Sequence, residues 1–270
     1  MKLTALLDSQ FVLPSIPRVV ALLLSELECN EPDLKRITQL IATDPSLTTR
    51  LLQLSNSGFF KMSQRVNSVT ESLAIVGLNH VRTMVSSSAA AASLKAVPGI
   101  NLQHYWDYSL DVAKVSRSLA GVVRQNQQAA FTVGMIHLIG ELAMRMAMPV
   151  QLAALDAEVG AIDARRAKAE RRLLGYSYAQ VGAAYARKWS FPEPIVDALE
   201  HQDAPFQDDA YEPLAGVLHL AAWRARAKGA GYNQREMAVS FPGPVGEVLG
   251  LDIDMVLQQD PIDWTSANPV

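Results

Sequence analysis

The segment Ile41-Ala42-Thr43-Asp44-Pro45-Ser46-Leu47, continuing through Arg50-Leu51-Leu52-Gln53-Leu54-Ser55-Asn56-Ser57, holds the end of one helix, a cap and the start of another. Aspartate before proline is a strong helix-start signal. The carboxylate accepts from free N–H groups of the first turn, and proline at the first helical position has no N–H to leave unsatisfied. Leu47, Leu51 and Leu54 then recur three and four apart and mark one buried face. Upstream, Leu34, Ile37, Leu40 and Ile41 form a second apolar stripe, and Val20, Leu23, Leu24 and Leu27 a third, beginning after Pro17.

The same punctuation continues. Ser68-Val69-Thr70-Glu71 matches a capping box, whose helix ends near Gly77, and a further helix runs from Leu78 toward Pro98-Gly99. Beyond that break, apolar periodicity predicts helices over Tyr105–Val123, Gln128–Met146, Asp163–Leu174, Tyr178–Trp189, Pro192–Glu200 and Leu214–Lys228. Alternating β-branched runs are scarce, so the chain reads as all-α. The expected divisions are an N-terminal helical lobe over residues 1–98, a second helical lobe over 99–230, and a C-terminal extension over 231–270. Its end, Asp260 to Pro269, reads as an irregular tail anchored by Trp264.

Composition narrows the function classes. A chain of 270 residues, 49% hydrophobic, can bury a large core without disulfides. The single cysteine, Cys29, excludes an intramolecular disulfide or multi-thiolate metal site and is expected to be a small buried hydrophobe. The first residues lack a signal-peptide core, and no apolar run approaches the roughly 20 residues that span a bilayer, so a cytoplasmic protein with no membrane partner is expected. A net charge of -3 provides no global field for nucleic acid, and no nucleic-acid partner is expected. Arg165, Arg166, Lys168, Arg171 and Arg172 crowd one short segment. Nearby acids make this a solvated helix face, the alternative being a patch for an acidic partner or anion. Phe59 and Phe60 follow the loop Asn56-Ser57-Gly58 and are expected to plug the seam between lobes, or else to face a partner. No nucleophile elbow, Walker loop, dinucleotide fingerprint or His-Glu-x-x-His motif is present.

Three phrases in register, Leu13-Pro14-Ser15-Ile16-Pro17, Ile41 to Leu47 and Arg50 to Ser57, followed by Val69-Thr70-Glu71-Ser72-Leu73-Ala74-Ile75-Val76-Gly77-Leu78, resemble the HDOD family over about residues 13–228. The resemblance implies an N-terminal helical lobe packed on a degenerate lobe related to HD-type phosphohydrolases. Those enzymes hold divalent metals through histidine and aspartate side chains, which lower the pKa of a bound water and make it a nucleophile toward phosphorus.

By that resemblance, Tyr108 stands where a first histidine ligand is found, and Leu138 follows His137 in place of aspartate. Ser177-Tyr178 replaces an Asp-His pair, Glu200-His201-Gln202 keeps only the first of two histidines, and Ala222 takes an aspartate position. Glu141, one turn after His137, is a candidate third donor beside His137 and His201. The expected residual pocket therefore comprises Tyr108, His137, Leu138, Glu141, Tyr178, His201 and Ala222, with no catalytic residue, metal or cofactor. The implied function is a regulatory module whose output is contact with signalling proteins. The alternatives are a nucleotide or second-messenger sensor built on the residual pocket and a divergent metal-dependent phosphohydrolase.

Overall fold

A computed structural model describes residues 1–9, 13–92, 97–206, 212–257 and 264. Among them regular structure is entirely helical, as the periodicity predicts. The first lobe is built from α2 (Pro17–Leu27), α3 (Leu34–Ala42), α4 (Pro45–Ser55) and α5 (Val69–Ala92), the last kinked at Gly77, whose φ of 73° and ψ of 161° are non-helical. The second contains α6 (Leu102–Val122), α7 (Gln127–Ile136), α8 (Ile139–Ala147), α9 (Pro149–Asp156), α10 (Arg166–Leu174), α11 (Tyr178–Lys188), α12 (Glu193–His201) and α13 (Pro213–Gly229). Here α6 lies along α7 and α13, and α11 lies along α8 and α12.

Asp44 explains why the first two sequence phrases occur together. One carboxylate oxygen accepts from Ser46 N at 2.8 Å and Leu47 N at 2.9 Å, while the other accepts from Ile16 N at 2.6 Å. Ser46 Oγ donates to the Pro14 carbonyl, and Arg50 Nη2 donates to Leu13 O at 3.0 Å. The cap of α4 is therefore also the clasp holding the segment before α2. Ser68 Oγ accepts from Glu71 N at 3.2 Å, while Glu71 reaches back to Asn67 N rather than to Ser68 N.

Asp44 is fully buried, and desolvation raises its carboxyl from 3.8 to about 6 despite three backbone donors. The native chain therefore binds this proton more tightly than the unfolded chain. The associated stability is fully present below about 3.8 and lost as pH rises through about 6, up to about 3 kcal/mol. Urea unfolding at pH 5 and pH 7.5 is expected to show the wild type losing more stability over this interval than Asp44→Asn. Parallel profiles would contradict the assignment.

One apolar cluster runs from Leu13 to Val256 and crosses both lobes. A smaller one gathers Leu6, Met144, Leu152 and Tyr185 beneath α1 (Leu3–Leu7), α8, α9 and α11. Thus α1, the start of the sequence, packs on the second lobe: Tyr185 Oη donates to Leu6 O at 2.6 Å and Tyr176 Oη to Met1 O at 2.8 Å. The Gln127–Ala147 stretch is apolar and long enough to pass as a membrane span, but 94% of its most apolar window is buried inside the fold. The C-terminal extension carries three short helices, α14 (Gln234–Ser240), α15 (Gly243–Leu249) and α16 (Ile253–Leu257). The predicted tail lies outside the described residues except for Trp264, over whose ring Lys228 Nζ sits 4.3 Å from the centroid.

Several expectations need correction. Cys29 is exposed, because it falls just past the end of α2 on the side away from Leu23 and Leu27. Phe59 does not plug the seam. It is 71% exposed and packs edge-on against Phe60 and His80 on the surface of the first lobe. The run predicted as one helix over Gln128–Met146 is two, parted at His137-Leu138, where the His137 ring takes the Gly134 carbonyl.

Candidate functional site

The helical break at His137 presents its ring to α6 and α13. Nδ1 lies 2.6 Å from Gly134 O, so it carries the proton and donates, which leaves the lone pair on Nε2. That nitrogen is buried and has no hydrogen-bond partner. Burial holds the imidazole down near 4, so it is neutral at physiological pH. Tyr108 on α6 packs its ring 5.5 Å from that of His137, donates to Ala222 O at 3.3 Å and accepts from Arg226 Nη1 at 3.2 Å. Burial pushes both Tyr108 and Tyr178 upward, and Arg226 is an electrostatic neighbour of Tyr108, Tyr178 and His137.

Tyr108, His137, Tyr178 and Ala222 are thus brought together, and three other members of the expected pocket are not. Leu138 points into the seam between lobes, where it lines a cavity of about 10 Å³ with Leu13, Pro45 and Ser46. Its backbone turns away from His137 at the break. His201 is half-buried at the end of α12 beside Asp197 and Glu212. The next residue faces inward instead: Gln202 Nε2 donates to His137 O at 3.2 Å, and Gln202 O accepts from His219 Nδ1 at 2.8 Å. Gln202, His219 and Arg226 were not singled out from the sequence. His219, Ala222 and Arg226 fall at i, i+3 and i+7, so one face of α13 could have pointed to the last two.

Glu141 is the third departure. It is fully buried and belongs to a separate cluster of charges linking α8, α9 and α10. Its Oε1 lies 2.8 Å from both Arg145 Nη2 and Arg166 Nη2. Arg145 grips Asp156 through two bonds of 2.7 Å, while Arg166 reaches Asp156 at 2.8 Å and Glu170 at 2.9 Å. Burial, then repulsion from Glu141 and a hydrogen bond with it, raise the Glu170 carboxyl to about 9. Glu170 therefore carries a proton at neutral pH, which balances two guanidiniums against three carboxyl groups. Glu170 Oε2 also accepts from Tyr178 N at 2.6 Å and ties the cluster to the start of α11.

This cluster corrects the surface reading of the basic segment at Arg166 alone, since Arg165, Lys168, Arg171 and Arg172 are exposed on a solvated face. Arg166 has no exposed side-chain area, since α10 turns it toward Glu141. Arg165, Arg171 and Arg172 are committed to Asp163, Asp203 and Glu158 at 2.8, 2.6 and 2.6 Å. Lys168 alone of the five is exposed without an ion pair in the described structure.

The donor set does not fit a divalent metal of the HD type. Among the described residues no group of three or more His, Cys, Asp or Glu side chains converges on one point. The positions that the resemblance aligns with ligands hold a phenol, an alkyl chain and a methyl group, and the phenol accepts from the Arg226 guanidinium, a cation already in place.

The sequence model of the HDOD domain matches residues 13–205. The chain belongs to the HDOD family. An uncharacterized protein of Treponema pallidum (strain Nichols) is 25% identical over 212 residues, 77% of this HDOD chain and 41% of that protein. The chain thus spans less than half the length of this curated relative. Among solved structures, the MmoQ response regulator of Methylococcus capsulatus str. Bath superposes with a TM-score of 0.72 at 24% identity, covering 92% of this chain and 97% of that one. A Shewanella amazonensis SB2B protein, provisionally described as a phosphohydrolase, superposes with a TM-score of 0.57 at 26% identity, covering 97% and 94%. The fold of this chain is thus shared with a protein described as a response regulator.

Proposed function

We propose that this HDOD chain is a non-catalytic regulatory module that acts by binding other proteins. The observation that carries the reading is the Arg226 guanidinium on the Tyr108 hydroxyl, beside a neutral His137 locked to Gly134 O. Hydrolysis of a phosphate ester at an HD-type centre needs carboxylate and imidazole donors around a cation that activates water. This site supplies a fixed cation and no carboxylate within it. The likeness to a response regulator supports a signalling role, with a helical surface as its output.

The experiment is metal analysis and turnover on the same purified chain. After dialysis against excess Mn²⁺ or Mg²⁺ and desalting, bound metal is expected well below one equivalent. Hydrolysis of bis(p-nitrophenyl) phosphate is expected at the blank rate, unchanged in His137→Ala. One equivalent of retained metal, with turnover lost in His137→Ala, would establish the phosphohydrolase reading instead.

A further inference from the structure

Helices α2 and α3 of the first lobe and α6 of the second enclose a surface trough of about 540 Å³. Its floor is apolar, made by Val19, Leu22, Leu40, Leu110 and the indole of Trp106. Trp106 is 3% exposed, yet its Nε1–H is buried and meets no acceptor among the described residues. An indole nitrogen can only donate, and leaving such a donor buried and unpaired is costly, so nearly all are matched. The same ring walls the closed seam cavity, but that space of about 10 Å³ holds one water at most. The trough is the adjoining space with room for more.

The rim of the trough has no net charge. Glu26 takes Arg36 at 3.2 Å, and Asp107, which also accepts from Gln103 Nε2 at 2.9 Å, stands against Arg18. A charged ligand would leave water for a site that offers it no spare counter-ion, whereas an uncharged one gives up far less hydration.

We propose that the trough binds an uncharged small molecule made of an apolar ring and a carbonyl oxygen, the oxygen accepting from Trp106 Nε1. The volume falls within the range of about 300–1,000 Å³ usual for small-molecule sites, and an apolar lining with few polar groups matches their chemistry. The occupant touches α2 and α3 of one lobe and α6 of the other, so its binding stabilises the arrangement of the two lobes. That gives the regulatory module an input separate from the Tyr108–His137 centre, and it does not depend on the protein-binding reading.

The test uses the full chain with isotope-labelled nitrogen in its four tryptophans, Trp106, Trp189, Trp223 and Trp264, whose indole signals are assigned by through-bond NMR. The probes are phenylacetamide, acetophenone and cyclohexanone at millimolar concentration, with phenylacetate and benzylamine as charged counterparts. The uncharged probes are expected to move the Trp106 indole proton downfield, saturably, and to leave Trp223 and Trp264 in place. Leu22→Gln, at a half-buried position on the floor, is expected to weaken that binding about tenfold with an unchanged melting temperature. No movement with any uncharged probe, equal movement of all four signals, or tighter binding of phenylacetate or benzylamine overturns the proposal. So does a Trp106 proton that receives magnetisation from water and ignores the probes, which assigns the missing acceptor to solvent. Binding that moves Trp106 but is unaffected by Leu22→Gln also overturns it, since the ligand then lies elsewhere.

Discussion

Arg166→Ala is expected to lower the unfolding free energy by about 3–5 kcal/mol, the cost of removing one member of a buried ion-pair cluster. The arginine makes no contact with solvent and satisfies Glu141, Glu170, Asp156 and the Val159 carbonyl. Without it, the buried Glu141 and Glu170 and the partly exposed Asp156 face one guanidinium, and their repulsion adds to the lost hydrogen bonds. In a domain of this size the melting temperature should drop by on the order of 10 °C. Lys168→Ala is the control. It removes a cation two residues away on the exposed side of α10, and should change stability by no more than about 0.5 kcal/mol. Thermal unfolding by circular dichroism checks both, and equal effects would show that the cluster is not closed to water.

Gly140→Ala is expected to cost about 3 kcal/mol, the upper end of overpacking effects. A Cβ there would lie 2.0 Å from Tyr178 O and 2.6 Å from Gly182 N. The obstacle is the backbone of α11 and cannot rotate aside, so α8 and α11 must separate. Because α11 begins at Tyr178, the separation would also strain the Glu170–Tyr178 N bond that orients this end of the site. Gly58→Ala, with nothing within 4 Å of the added carbon, should leave the melting temperature nearly unchanged. A similar shift for the two variants would argue against close contact between α8 and α11.

Much of the fold is legible because helix starts are local chemistry. Asp44-Pro45 and the leucines after it identify α4 without reference to anything distant. The same holds for the break at Gly77 and the long periodic stretches that became α6, α11 and α13. What escaped were short elements: α1, α9 and the C-terminal helices have too few turns to display a period, and the Asn233 and Glu236 caps of α14 went unread. The split of α7 from α8 escaped because the run is apolar on all sides and only a side chain reaching its own backbone ends the helix.

The site was legible in part, for a similar reason. Tyr108, His137 and Ala222 could be aligned by resemblance, and the structure does bring them together. The assignment of His201 over Gln202 was wrong by one residue, which on a helix is a turn of about 100° and decides which side chain faces the core. Glu141-Arg145 and Arg166-Glu170 are spaced like solvated pairs along an exposed helix.

By itself the sequence determined the helical class, the Asp44-Pro45 start of α4 and the family, since each depends on residue identity or on neighbours within a few positions. Only the tertiary structure decided that Asp44 clasps the segment before α2, that Arg226 donates to Tyr108 beside His137, and that Arg166 is interior. Those facts depend on which helix faces which, and helical spacing specifies a direction around one axis without naming what lies in that direction.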